Sequence, residues 1–477
     1  MRRAGTATLT GVSPKKRKSR PRQTRPQGVS GHPQRRAQQL EARQTRAAMP
    51  GEDRAALREL AYSLAGGASP AAWWPDSHER VLARARALSW PSRWADLETQ
   101  ACQLVGDELY DRLQVPGAQH PVQWLRALAE LTGTELRAEV ARDGGEWQEL
   151  WALLCGLVLL APRPPAGAEN ETTQLAREMF PDILDAHETA LDEAGRVARL
   201  LARRGLEASP GPPPGGSRPA GATLAAGDAY GSRFLLVAPF SYDGGAPDHW
   251  YAWDIDWCWI DTVAGAGAFA SANDALREWR DAVGPAASRA ALSPCAAGTA
   301  AWLLGPAFQG GPGDAMEGSE PRELIREYYR LRRRARDLTE PAGAGQAPAP
   351  FDADRAGDEF LAWLATRRDD VSEAAAEATG VILDEWGPHR IPDESLFYSC
   401  SPHRIEMAAE LMRDAYPAEV GGPALQLLPE WTQWCLEHGA LSADEAARSR
   451  QAASSAASAL AGGPAGEAGE APFRRPE

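Results

Sequence analysis

The chain has 477 residues, of which 43% are hydrophobic and 17 are tryptophan, and this amount of apolar material excludes a wholly disordered protein. The net charge of −14 is unevenly placed, because residues 1–48 carry 13 Lys or Arg and one acidic residue, a net of +12. Residues 49–477 therefore carry −26, which argues against a general nucleic-acid-binding role for the folded part. At about 100–200 residues per domain, the length predicts two to four domains.

Residues 1–48 form the first predicted segment, a disordered basic arm with repeated prolines and no apolar periodicity. All three lysines of the chain lie in it. Flexible Lys and Arg side chains bind phosphate backbones by releasing counterions, without sequence preference. The predicted nucleic-acid-binding residues are Lys15, Lys16, Arg17, Lys18, Arg20 and Arg22. Three alternatives stay open: a nuclear-localisation pattern, an inert tail, and a natural chain start at Met49 that would make the arm an artefact.

Residues 49–204 are predicted to form a helical domain, because leucine, valine and alanine recur there at spacings of three and four. One helix is expected over 147–160, ended by the proline run at 162–165, and a last one from about 171 to 204. Residues 205–228 are predicted to be a linker, since they are too rich in Pro and Gly to pack.

Residues 229–338 are predicted to form a small α+β segment that ends in a basic helix. The run 233–240 is typical of a buried strand, and 250–260 alternates so that aromatic side chains share one face. A Gly-rich stretch and a helix capped near Ser271 follow. Four tryptophans suggest a ligand- or peptide-binding surface: Trp250, Trp253, Trp257 and Trp259.

The rest of the chain is predicted to contain a linker at 339–350, a C-terminal helical domain at 351–451 and a disordered tail at 452–477. The expected fold class is therefore mainly α: helical bundles flank one small α+β segment, a β-hairpin plus helix, between disordered termini.

Two carboxylates, Asp254 and Asp256, lie at i and i+2 on the second predicted strand, so they point the same way about 6.6 Å apart. Such a pair could hold Mg²⁺ for a hydrolase or nuclease. The alternative is that both lie on the solvent face of a half-buried strand, where alternation requires polar residues.

Two Cys-x-x-His spacings, Cys400–His403 and Cys435–His438, together supply a set that tetrahedral zinc would accept. Cys435, however, lies on the apolar stripe of a predicted helix, and 31 residues separate the two pairs. No metal or cofactor is therefore assigned from the sequence.

The helix predicted over 321–338 presents seven arginines, which could hold phosphates but are more typical of an amphipathic helix whose outer arginines pair with acids at i+3 and i+4. The polar loop at 384–394 offers His389 as a general base, or forms an ordinary connection between helices.

Motifs of P-loop, α/β-hydrolase, zincin and dinucleotide-binding enzymes are absent from the sequence. No apolar run reaches the roughly 20 residues of a spanning helix, no secretory signal is present, and the six cysteines are scattered, so we predict a cytoplasmic protein with reduced thiols. The Ala, Gly, Pro and Arg bias is typical of a GC-rich bacterial genome. We predict a non-enzymatic interaction protein with an unknown protein partner and nucleic acid on its arm. The alternatives are a metal-dependent hydrolase using Asp254 and Asp256, and a Trp-lined binding module.

Overall fold

The computed structural model of the chain describes residues 73–113, 121–142, 145–161, 186–208, 211, 217–242, 247–258, 262–305, 321–339, 352–368, 371–386 and 394–458. These residues form 14 α-helices and one six-stranded antiparallel sheet, which confirms the predicted class, mainly α with a small α+β part. The helices before the sheet are α1 (Trp74–Arg86), α2 (Trp94–Leu113), α3 (Pro121–Ala141), α4 (Trp147–Leu160) and α5 (Ala186–Arg204). The strands are β1 (Arg218–Pro219), β2 (Leu224–Gly227), β3 (Arg233–Ser241), β4 (His249–Asp256), β5 (Thr262–Phe269) and β6 (Ser293–Pro294). The remaining helices are α6 (Ala272–Val283), α7 (Ala297–Leu303), α8 (Pro321–Thr339), α9 (Ala353–Ala365), α10 (Glu373–Trp386), α11 (Glu394–Phe397), α12 (Pro402–Ala415), α13 (Ala418–His438) and α14 (Ala443–Ser458).

Helix α4 is the centre of the N-terminal helices. It is apolar on nearly all sides, so it can be stable only where other helices surround it, and residues 150–160 are all buried. Helices α2, α3 and α5 pack around it. The helix has the bounds expected from the sequence, 147–160.

The sheet is larger than the expected hairpin, with strand order β5-β4-β3-β2-β6 and β1 paired to β3. Residues 218–219 and 224–227 of the predicted linker form β1 and β2, and the Gly-rich stretch forms β5. Gly and Ala are depleted in strands, so the local composition of both regions did not predict strands. Pairing with the long strands β3 and β4 overrides that weak preference.

Both faces of the sheet are covered. Helix α6 packs on one face and helices α7 and α8 on the other. The expectation that Asp254 lies on a solvent face is wrong, since this residue is only 2% exposed under α6. Alternation along one strand shows which side chains share a face, but not whether a distant helix covers it.

Helix α8 lies between helix α2 and the sheet. Gly106 of α2 permits the close crossing, because a Cβ there would lie 2.3 Å from the Cα of Arg326. Pairing at i+3 is present, as Arg330 with Glu327, but Arg330, Arg333 and Arg334 are buried rather than on an outer face. Arg333 uses Nη1 to donate to the carbonyls of Val158, Leu159 and Ala161 at the buried C-terminal end of α4, where the last carbonyls have no partner within the helix.

The six helices after α8 form a C-terminal helical unit (residues 352–458) with an apolar cluster of its own. Phe360 packs edge to face on Trp431 and on Trp434 at its centre, and the two tryptophans lie tilted against each other. Leu396 of α11 instead joins the apolar cluster of the sheet. Within the described residues, no helix is both long and apolar enough to cross a membrane.

Candidate metal centre

Three side chains with metal-binding atoms meet where the C-terminal helical unit contacts the sheet. Asp256 is the last residue of β4, Cys258 follows two residues later, and His403 is the second residue of α12. One ligand atom from each lies within 4.8 Å of the other two. We call the contact formed by Asp256, Cys258, Leu396, Ser401 and His403 the seam.

The start of α12 places His403. Ser401 caps the helix, because its side chain accepts a hydrogen bond from the backbone N–H of Arg404 (3.2 Å), and Pro402 occupies the first helical position. The fully buried guanidinium of Arg404 donates to the carbonyls of Trp386 (2.7 Å) and Ser399 (2.9 Å), which fixes the chain before the helix. His403 is thus presented from a rigid helical turn.

The sheet places Asp256 and separates it from Asp254. Asp254 accepts hydrogen bonds from Arg233 Nε (2.8 Å) and Nη2 (2.5 Å) and from Trp279 Nε1 (2.9 Å). Its carboxylate is occupied on both oxygens, whereas Asp256 Oδ2 faces His403. The two carboxylates predicted to act together therefore have different partners in the structure.

The spacing of His403 and Asp256 is compatible with two ligands of one ion. His403 Nε2 lies 3.6 Å from Asp256 Oδ2, which is too long for a side-chain hydrogen bond. Two ligand atoms of tetrahedral zinc, each about 2.0–2.2 Å from the metal, lie about 3.4 Å apart. The other oxygen of Asp256 accepts from the backbone N–H of Cys258 (2.7 Å), which fixes the carboxylate, and Cys258 Sγ lies 3.4 Å from Ser401 Oγ.

The charged forms of Asp256 and His403 stabilise each other. Burial opposes ionisation of Asp256, but His403, Arg233 and the Cys258 N–H outweigh it and hold the pKa of this carboxyl below its usual range. The Asp256 carboxylate raises the pKa of His403. Burial raises the pKa of the Cys258 thiol well above its ordinary value. One Zn²⁺ that displaced a proton from His403 and one from Cys258 would leave the total charge of the seam unchanged.

Arg404 adds a positive charge beside these groups. Its guanidinium donates to carbonyl and hydroxyl oxygens, and its Nη2 has no hydrogen-bond partner within the described part of the chain. Burial lowers the pKa of Arg404, and nearby Cys258 and Asp256 act in the opposite direction. A thiolate at Cys258 would therefore compensate a buried cation.

The three ligand atoms indicate which metal ion the site would bind. Thiolate sulfur, imidazole nitrogen and carboxylate oxygen together suit Zn²⁺, whereas Mg²⁺ and Ca²⁺ prefer oxygen alone. A nucleophilic cysteine is less well supported, because Cys258 is buried and its pKa is raised, while reactive cysteines have lowered pKa values and are partly exposed. His403 has a side chain 57% exposed, so solvent reaches one side of the centre.

The two Cys-x-x-His pairs do not converge. Cys400 and Cys435 are buried close together, but His403 turns toward Asp256. His438 stacks on the ring of Tyr398 with 4.5 Å between ring centroids. Sequence patterns therefore singled out two residues of the candidate centre, Asp256 and His403, but paired each with a different partner. Cys258 was missed because its histidine is 145 residues away, and only the short Asp256-x-Cys258 spacing marked it.

The predicted tryptophan surface is distributed over different environments. Trp253 is fully buried, and Trp257 is 2% exposed and stacks on Trp302 with 5.1 Å between ring centroids. Trp250 is half-buried beside α6, on the other face of the sheet. Trp259, the basic arm residues and His389 lie outside the described residues.

No protein-family model, curated protein or solved structure matches the chain. The interpretation of the centre therefore depends on its own geometry.

Proposed function

We propose that this protein binds zinc through Asp256, Cys258 and His403, and that the ion links the sheet to the C-terminal helical unit. The convergence of three ligand atoms within 4.8 Å, from two elements far apart in the chain, carries the proposal. The 3.6 Å spacing of His403 Nε2 and Asp256 Oδ2 supports it, because small shifts of a few tenths of an ångström would bring both atoms onto one tetrahedral ion.

The experiment that tests the site is a cobalt titration of the full chain. Co²⁺ substitutes for Zn²⁺ and reports tetrahedral geometry by its visible absorption and thiolate ligation by a sulfur-to-metal charge-transfer band. We expect one ion per chain, displaced by Zn²⁺. Cys258→Ser should abolish the charge-transfer band. His403→Gln should weaken binding by more than the roughly 10–100-fold that second-shell changes cost.

Matched control variants are present in the chain. Cys295→Ser changes a partly buried thiol outside the seam, and His438→Gln changes the histidine of the other Cys-x-x-His pair. Both should bind cobalt as the wild type does. An octahedral cobalt spectrum, or a charge-transfer band that survives Cys258→Ser, would contradict the proposed site.

A zinc ion with three protein ligands retains a position for water, which is the arrangement of catalytic zinc sites. Metal-assisted hydrolysis is therefore the enzymatic candidate, with Asp256 as a ligand and Asp254 as the partner of Arg233. Zinc-loaded protein should hydrolyse activated ester or phosphoester substrates, and the activity should disappear in His403→Gln. Equal rates for the two proteins would leave zinc binding without catalysis.

A second candidate function is tethering to nucleic acid through residues 1–48, as part of a non-enzymatic interaction protein. The supporting observation is the charge division, +12 on the arm against −26 on the remainder. Full-length protein should bind mixed DNA or RNA with affinity that falls steeply with salt, and residues 49–477 should not. Equal binding by the two chains would refute the tether.

A further inference from the structure

The seam is a thin connection between two separately packed parts. The apolar cluster of the C-terminal helical unit is drawn from residues between 356 and 456, and the sheet has apolar clusters of its own. Within the described residues, the cluster of the sheet includes one member of the unit, Leu396. Apolar burial across the seam is therefore small beside the burial within each part.

Polar groups of the proposed metal centre lie at this thin connection. The Asp256–His403 contact and the Cys258–Ser401 contact both cross the seam. Leu396 and Ser401 belong to one short segment, which Arg404 fixes through the carbonyls of Leu396 and Ser399. Any ligand that joins Cys258 to His403 therefore also holds the whole segment against the sheet.

We infer that zinc controls the docking of the C-terminal helical unit on the sheet, so that the metal-loaded chain is closed at the seam and the metal-free chain opens there. This inference rests on the proposed zinc site. Two ligands come from the sheet side and one from the unit, so opening the seam must break the coordination. Metal binds only the closed form with its full ligand set, and it shifts the equilibrium toward that form.

Hydrogen–deuterium exchange of the full chain measures the opening directly. Peptides spanning 250–258 and 394–405 line the two sides of the seam, and a peptide spanning α4 serves as a distant control. At free zinc 100 times its dissociation constant, a closed-only ligand lowers the population of the open form about 100-fold. We expect exchange governed by seam opening to slow by about that factor, with no change in the α4 peptide.

The same samples are titrated with Co²⁺, which separates failure of the inference from failure of the zinc site. Metal binding with about 100-fold slower exchange on both sides supports the inference. Metal binding with no change in the 394–405 peptide overturns it and leaves the zinc site intact. No metal binding overturns both. Cys258→Ser, with its fold checked by circular dichroism, should lose the zinc-dependent protection, whereas His438→Gln should keep it.

Discussion

Glu98 is the acid on which the packing of α8 depends most directly, so Glu98→Gln tests the energetics of the fold. Its Oε2 accepts from Arg334 Nη2 (2.6 Å) and from Tyr242 OH (2.7 Å), and lies 3.7 Å from Arg330 Nη1. Glu98 and Arg334 side chains are 1% and 0% exposed. Glutamine keeps the shape but removes the charge, which leaves Arg334 buried without its carboxylate. Breaking a buried pair in this way costs about 3–5 kcal/mol.

Hydrogen exchange in α2 and β4 measures this loss locally, because a chain of several units does not unfold in one two-state step. The control is Glu139→Gln, which removes a partly exposed pair with Arg142 and should cost at most about 1 kcal/mol. Glu98→Gln combined with Arg334→Met removes both buried charges and should recover much of the lost stability. Equal exchange in Glu98→Gln and Glu139→Gln would refute the reasoning.

Three further predictions concern the same part of the molecule. Gly106→Ala should lower the free energy of local unfolding, measured by hydrogen exchange in α2 and α8, by about 1–3 kcal/mol, because its methyl group would meet the α8 backbone. Gly298→Ala, with open space around it, should be neutral or stabilising by hydrogen exchange in α7, and equal losses would contradict the close-crossing explanation. Arg333→Met should lower the free energy of local unfolding at the end of α4 by about 1.5–3 kcal/mol, since the α4 carbonyls lose a charged donor. Hydrogen exchange at the end of α4 should speed up accordingly. Unchanged exchange there would show that Arg333 is dispensable as a cap. Burial, and then the charges of Arg334 and Arg330, lower the pKa of His249 well below 6.5. The stability that depends on neutral His249 is therefore fully present above pH 6.5. It is lost as the pH falls toward the folded-state pKa, at about 1.4 kcal/mol per pH unit. The loss of local stability on acidification, measured by hydrogen exchange in β4, should be shallower in His249→Gln, and an identical loss would show that His249 does not contribute to it.

Local patterns in the sequence were sufficient for the main helices. The apolar run before Pro162 predicted the helix that became α4, and the spacing of apolar residues from 321 predicted α8. Both signals are contained within one element, so no distant partner is needed to recognise them.

Features that depend on distant partners could not be predicted in the same way. The Gly/Ala composition of β5 gave no strand signal until β4 was placed beside it. Arg334 looks like a surface residue of a basic helix, and only Glu98 on α2 explains its burial. The candidate metal centre shows the same limit, because Cys258 and His403 are brought together where α12 meets the C-terminal end of the inner strand β4.

The position of α8 in the chain has a consequence for protein synthesis. Arg334 is made 236 residues after Glu98, its buried partner. At about 5–20 residues per second, translation takes roughly 12–47 seconds to cover that distance. Throughout that interval the nascent N-terminal helices expose the α2 surface that α8 later covers. This surface includes Glu98, whose partner Arg334 has not yet been synthesised. Nascent chains arrested before and after residue 339 should therefore differ in how strongly chaperones bind them.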